Sequence, residues 1–139
     1  MTTVMSGSRL VQETDTVGAP LGSISRSRTG LSKRELMDIL AFTQLSLSEL
    51  ATVLPISERQ LARYAEEHVL RKDISAQLLL ILTLFKRGYE VFQRERFHQW
   101  IRTENPAMDY QRPLDLLDTP IGIQLIHTIM GRLEHGVFS

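Results

Sequence analysis

The sequence predicts an all-α protein, with an N-terminal helix-turn-helix domain followed by a small helical domain. Three observations carry that expectation. Helix-start signals recur along the chain, apolar residues return at helical rather than alternating spacing, and one apolar stretch is too long for a strand. A length of 139 residues suits one compact domain or two small ones. The expected division is an arm over residues 1–29, a helix-turn-helix domain with a long central helix over residues 30–93, and a C-terminal helical domain over residues 94–139.

The arm is rich in Ser, Thr and Gly, with a short strand or helix conceivable only around Leu10 and Val11. Three start signals follow, in which a Ser hydroxyl caps one backbone N–H and a Glu or Gln three residues later reaches back: Ser32 with Glu35, Ser46 with Glu49, and Ser57 with Gln60. The first introduces Leu36, Ile39, Leu40 and Phe42. The second introduces Leu47, Leu50, Ala51 and Leu54, and the third Leu61, Tyr64 and Ala65. After a break at residues 69–73, Leu78 to Leu82, Leu84, Phe85, Tyr89, Val91 and Phe92 surround a helix, so this central helix is buried on more than one face. Phe97, Trp100 and Ile101 continue the helical spacing until Asn105-Pro106. Trp100 reads as packing between helices. Pro113 suits the first turn of a helix through Leu114, Leu116 and Leu117, and Thr119-Pro120 reads as a cap followed by a first helical residue. The last helix is expected to bury Ile121, Leu125, Ile129 and Leu133 in one stripe, with Ile126 and Met130 beside it, and to stop at Gly136.

Composition narrows the functional classes. Sixteen Lys plus Arg balance sixteen Asp plus Glu, so no whole-molecule field draws the chain to polyanions, and nucleic-acid binding requires a local patch. With no cysteine, thiolate zinc sites, disulfides and cysteine nucleophiles are excluded. No apolar run reaches the length of a membrane span and no signal-peptide core is visible, so a cytoplasmic protein is expected. The four histidines, His68, His98, His127 and His135, lack metal-ligand spacing, and no Gly-rich phosphate loop precedes a helix. No catalytic residue, metal or cofactor is therefore assigned, and an enzyme is the least favoured class.

The most informative segment is Leu47 to Tyr64. A helix carrying Leu50-Ala51, a tight turn at Pro55-Ile56 and a capped helix from Ser57 reproduce the helix-turn-helix layout, in which small Ala51 permits a close crossing. Pro55 replaces the usual glycine, so the first helix should end at Val53 or Leu54. If Leu61 faces inward, then Glu58, Arg59 and Arg63 face outward. Arg59 and Arg63 suit guanine edges or phosphates, Glu58 suits a cytosine amino group, and Ser57, Arg71 and Lys72 suit phosphates. The competing reading is an ordinary helical hairpin with a solvated charged face. Arg26, Arg28, Lys33 and Arg34, with no acidic residue over residues 16–34, make a local basic run that favours duplex DNA. A protein reading a two-fold operator is expected to dimerise.

Residues from about 31 to 138 resemble the antitoxins of the Xre/MbcA/ParS type, the partners of RES-domain toxins. The resemblance rests on Leu50-Ala51, Leu54-Pro55-Ile56-Ser57-Glu58-Arg59 with Arg63, Trp100, Asn105-Pro106, Pro113-Leu114-Asp115-Leu116-Leu117, Gly122 and Leu133-Glu134-His135-Gly136-Val137. The departure is Asp109-Tyr110-Gln111-Arg112, where members commonly have a small glycine-containing loop. The resemblance implies a type II antitoxin that occludes an NAD-consuming RES toxin with its C-terminal domain and represses its own operon, as a homodimer within a larger complex. The toxin-facing candidates are Pro113, Leu114, Leu117, Arg132, His135, Gly136, Val137, Phe138 and Ser139. Two arrangements stay open for Val137 and Phe138, a plug entering the toxin or a contact folded onto the last helix. The competing function is a dimeric helix-turn-helix regulator without a toxin.

Overall fold

Two serines start helices by the same reciprocal exchange. The Glu35 N–H donates to the Ser32 hydroxyl (3.1 Å) while the Ser32 N–H donates to Glu35 Oε1 (3.0 Å), and Ser46 with Glu49 repeats the pattern at 3.0 Å in both directions. These boxes open α2 (Lys33–Thr43) and α3 (Leu47–Val53) in a computed structural model that describes Leu10 and residues 20–136. The remaining helices are α1 (Pro20–Thr29), α4 (Glu58–Arg63), α5 (Lys72–Phe92), α6 (Arg94–Ile101) and α7 (Pro120–Glu134). Single 3₁₀ turns lie at Pro106–Met108 and Pro113–Leu116. Among the described residues there is no strand, so the chain is all-α, as its periodicity implies. It divides into two compact units, Met1–Thr83 and Leu84–Ser139, with the division falling inside α5.

In the first unit, α3 stops at Val53 because Pro55 holds Leu54 extended (ψ 150°). The Ile56 N–H then closes a three-residue turn on the Leu54 carbonyl (2.8 Å). Leu50, Val53, Leu54, Ile56 and Leu61 are buried and give α3 and α4 their apolar core. The third start signal is only half made. Ser57 accepts from the Gln60 N–H (3.1 Å), but the Gln60 amide donates to the Tyr64 hydroxyl (3.0 Å) instead of reaching back. Helix α4 ends at Arg63, so Ala65 is exposed rather than buried.

Part of the expected arm is helical. Arg26 of α1 ion-pairs with Glu35, the same carboxylate that caps α2. The segment after α4 is pinned by its carbonyls: Glu66 and His68 accept from the Arg34 and Lys33 N–H groups (both 2.9 Å), satisfying donors that a helix start leaves open. The Leu70 N–H donates to the Leu31 carbonyl (2.8 Å), and the Leu31 N–H to the buried Ser75 hydroxyl (2.9 Å).

Helix α5 is buried on most of its circumference, through Ile74, Leu78, Leu79, Ile81, Leu82, Leu84 and Phe85, and leaves one stripe exposed at Leu80, Thr83 and Glu90. It does not run on into α6. Gln93 takes φ 72° and breaks the helix, and Phe97 of α6 lies on Gly88, where any Cβ would come within 2.3 Å of the ring. That missing side chain lets the aromatic cluster form. Phe97 meets Phe85 edge-on with centroids 5.0 Å apart, and Trp100 stacks on Phe92 at 4.9 Å.

Helix α7 begins as expected, with Thr119 accepting from the Gly122 N–H (3.0 Å) and Pro120 in the first turn. Its buried face differs from the expected stripe. Ile123, Ile126, Ile129 and Met130 are buried, whereas Ile121 is 79% and Leu125 41% exposed. Gly122 sets this rotation. It sits against the Leu116 carbonyl, 2.1 Å from where a Cβ would stand, so its side of the helix faces the Pro113–Leu116 turn and turns Ile121 to solvent. Gly136, at φ 69°, supplies the left-handed stop.

Candidate functional site

The first unit carries the candidate DNA-facing surface. Leu61 is fully buried, and this rotation leaves Glu58, Arg59, Ala62 and Arg63 exposed. Ser57, Arg59, Gln60, Arg63 and Tyr64 line an open concavity of about 670 Å³. Gln60 and Tyr64 were not among the sequence candidates; the i, i+4 spacing that joins them was the available signal. Arg59, Arg63 and Lys72 form no ion pair among the described residues, so their charge is available to a polyanion. The Ser57 hydroxyl already accepts from Gln60, but its own proton remains for a phosphate oxygen.

The basic residues around this surface are mostly engaged. Arg26 pairs with Glu35, and Arg34 pairs with Glu66 at 2.8 Å. Arg71 bonds the Pro55 carbonyl (3.1 Å) and the Asp73 carboxylate, which holds the Asp73 carboxyl below the usual carboxylate range and ties the turn before α4 to the start of α5. Lys33 does more. Its ammonium donates to the Ala62 (3.1 Å) and Tyr64 (3.0 Å) carbonyls, the acceptors that α4 leaves open at its C-terminal end. The local basic run is thus largely structural. Of Arg26, Arg28, Lys33 and Arg34, three stabilise the scaffold that presents Arg59 and Arg63.

The second unit is joined by a polar contact between α5 and α7. Arg87 donates to His127 Nδ1 (2.9 Å), to the His127 carbonyl (3.0 Å) and to Glu134 (3.1 Å), while Gly131 leaves room for the guanidinium. Burial, and then the Arg87 charge, push the His127 pKa below its ordinary value, which fits Nδ1 acting as an acceptor. Tyr89 bonds His98 Nε2 (2.9 Å) beneath the Arg94 guanidinium, which lies 4.3 Å from its ring centroid. Burial pushes the Tyr89 hydroxyl up to about 12 despite the opposing charges of Arg94 and Arg102, so it stays a neutral structural group. No group of three or more metal-ligating side chains occurs among the described residues.

The toxin-facing candidates fall into three sets. Pro113, Leu114 and Leu117 are buried, a correction to their expected role: the 3₁₀ turn points them into their own core, where they support α7. Arg132, His135 and Gly136 are exposed at the end of α7. Val137, Phe138 and Ser139 lie outside the described residues.

Between the two 3₁₀ turns the chain reverses sharply. The Gln111 N–H donates to the Met108 carbonyl (3.1 Å), and both intervening residues have positive φ, 58° at Asp109 and 64° at Tyr110. This is the pattern of a type I′ turn, usually built from Asn and Gly. Left-handed backbone costs an L-residue about 1–2 kcal/mol, less for Asp than for Tyr. The Asn105 carbonyl accepts from the Met108 and Tyr110 N–H groups (both 2.9 Å), and its side chain accepts from Ala107 (2.9 Å), so the turn is rigidly held. Arg112 and Asp115 form a two-bond ion pair beside it (2.7 and 3.0 Å), which holds the Asp115 carboxyl below its ordinary range.

Residues 87–136 match the family model of the antitoxin Xre/MbcA/ParS C-terminal toxin-binding domain. The match begins at Arg87 and ends at Gly136, so it spans the Arg87–His127 contact, the aromatic cluster apart from Phe85, the tight turn and α7. No curated protein matches the chain. No single helix among the described residues is long and apolar enough to cross a membrane.

Proposed function

From the premise that residues 87–136 are an Xre/MbcA/ParS-type antitoxin's toxin-binding domain, we propose that the protein neutralises a RES-type, NAD-consuming toxin by occluding its active site and represses its own operon. The family match carries the toxin half of this reading. The DNA half is supported by Leu61 facing inward while Arg59 and Arg63, free of ion pairs among the described residues, flank a concavity on the opposite side of α4. The protein acts in the cytoplasm as a homodimer and as a stoichiometric binder without turnover. On the operator, Arg59, Arg63 and Glu58 read base edges while Ser57 and Lys72 take phosphates. Arg71 contributes chiefly by fixing the turn.

Co-expression with the product of the adjoining gene, followed by purification and sizing, tests this directly. A stable complex that no longer consumes NAD, and that retards a duplex carrying the upstream region, is the expected result. A chain that retards the duplex but captures no neighbouring product is a regulator without a toxin. A chain that does neither overturns both halves.

A further inference from the structure

Tyr110 stands out because its backbone is strained and its ring is mostly exposed, outside the aromatic cluster and the polar contacts of the second unit. It is 65% exposed, adopts φ 64°, and its side chain makes no hydrogen bond or ring contact with any described residue. Backbone strain persists only where surrounding structure imposes it, and here the Asn105 carbonyl and the Met108–Gln111 hydrogen bond impose it fully. The turn would form more easily with glycine at this position. An aromatic residue there is therefore unexplained by folding, yet it stands on one of the most constrained turns of the second unit. A ring presented on a preorganised backbone loses little freedom on binding, which is the property of an interface anchor.

We propose that Tyr110 is a specificity-determining contact for the toxin, its ring entering an apolar pocket on that polypeptide and its hydroxyl meeting a polar group at the pocket's base. The inference rests on the toxin-binding reading, and the turn lies within residues 87–136, which carry that reading. Asp109 supplies the other left-handed residue but no anchor. That separates geometry from contact.

The test uses the full chain and the purified product of the adjoining gene, with affinity measured by calorimetry. Tyr110→Gly relaxes the backbone and removes the ring, whereas Asp109→Gly relaxes the backbone and keeps the ring. Tyr110→Gly should melt no lower than the wild-type chain and bind at least about tenfold more weakly, while Asp109→Gly should bind within about twofold of wild type. Equal affinity of Tyr110→Gly and wild type would overturn the assignment, as would an equal loss in both variants. Dissociation of the toxin-free protein on Tyr110→Gly would make a second copy of this chain the occupant and also overturn it. If the wild-type chain itself failed to bind, the toxin-binding reading would fall, and this assignment with it.

Discussion

Replacing Lys33 by Met separates a cation that holds the proposed DNA-reading helix from one that touches DNA. The ammonium bonds two carbonyls at the end of α4, at 3.0 and 3.1 Å, the second of them solvent-exposed. Hydrogen bonds to charged groups contribute about 1.5–3 kcal/mol each, and screening of the exposed one reduces the pair to about 1–2 kcal/mol in total. If the loss falls on the last turn of α4, where Arg63 is mounted, operator affinity should drop about tenfold, since 1.4 kcal/mol is one decade. Fluorescence anisotropy over a salt series is the assay. A phosphate contact contributes about −0.9 to the slope of log affinity against log salt. Lys33→Met should therefore weaken binding with the slope unchanged, while Arg63→Ala should flatten the slope by about 0.9 if Arg63 contacts a phosphate. A flattened slope for Lys33→Met, or an unchanged affinity, would refute the positioning role.

Four further outcomes are expected. Arg59→Ala should cost about 1–3 kcal/mol of operator binding and relax preference at one base pair, read by selection from a randomised duplex. Arg34→Ala, which removes a residue already paired with Glu66, should leave the salt slope at the wild-type value. Gly88→Ala should destabilise the second unit by up to about 2 kcal/mol in urea titrations, because a 2.3 Å approach to the fully buried Phe97 ring places the clash toward the upper end of about 1–3 kcal/mol, against a helix-propensity gain of about 1 kcal/mol. His127 gives a pH dependence of definite sign. Its folded pKa lies below 6.5, so the unfolded chain binds the proton more readily, and thermal stability should decline as pH falls below 6.5; His127→Gln should remove that component.

What was legible in the sequence was local and reciprocal. Ser32 with Glu35, Ser46 with Glu49 and Thr119 with Pro120 announce helix starts in a few residues, and the helices begin there. The inward turn of Leu61 followed from periodicity in the same way. What depended on distant partners was not legible. The apolar residues of α7 fit two neighbouring stripes equally well, and only the Leu116 carbonyl against Gly122 selects one. Pro113, Leu114 and Leu117 looked like a contact motif because their type does not reveal whether they face a partner or their own core. The engagement of Arg26, Lys33 and Arg34 was equally hidden, since their acceptors lie at separations of up to 33 residues. The breaks at Gln93, Asp109 and Tyr110 carry no glycine to mark them.

If α4 reads DNA as proposed, its brevity limits how much address information one copy can extract. Six residues rise about 9 Å, the length of roughly three base pairs. A three-letter word recurs by chance about once in sixty positions, whereas a genome offers millions of competing sites. Two such words at a set distance recur about once in four thousand, so in the proposed operator-bound dimer the spacing between copies would act as part of the code, as much as any single side chain.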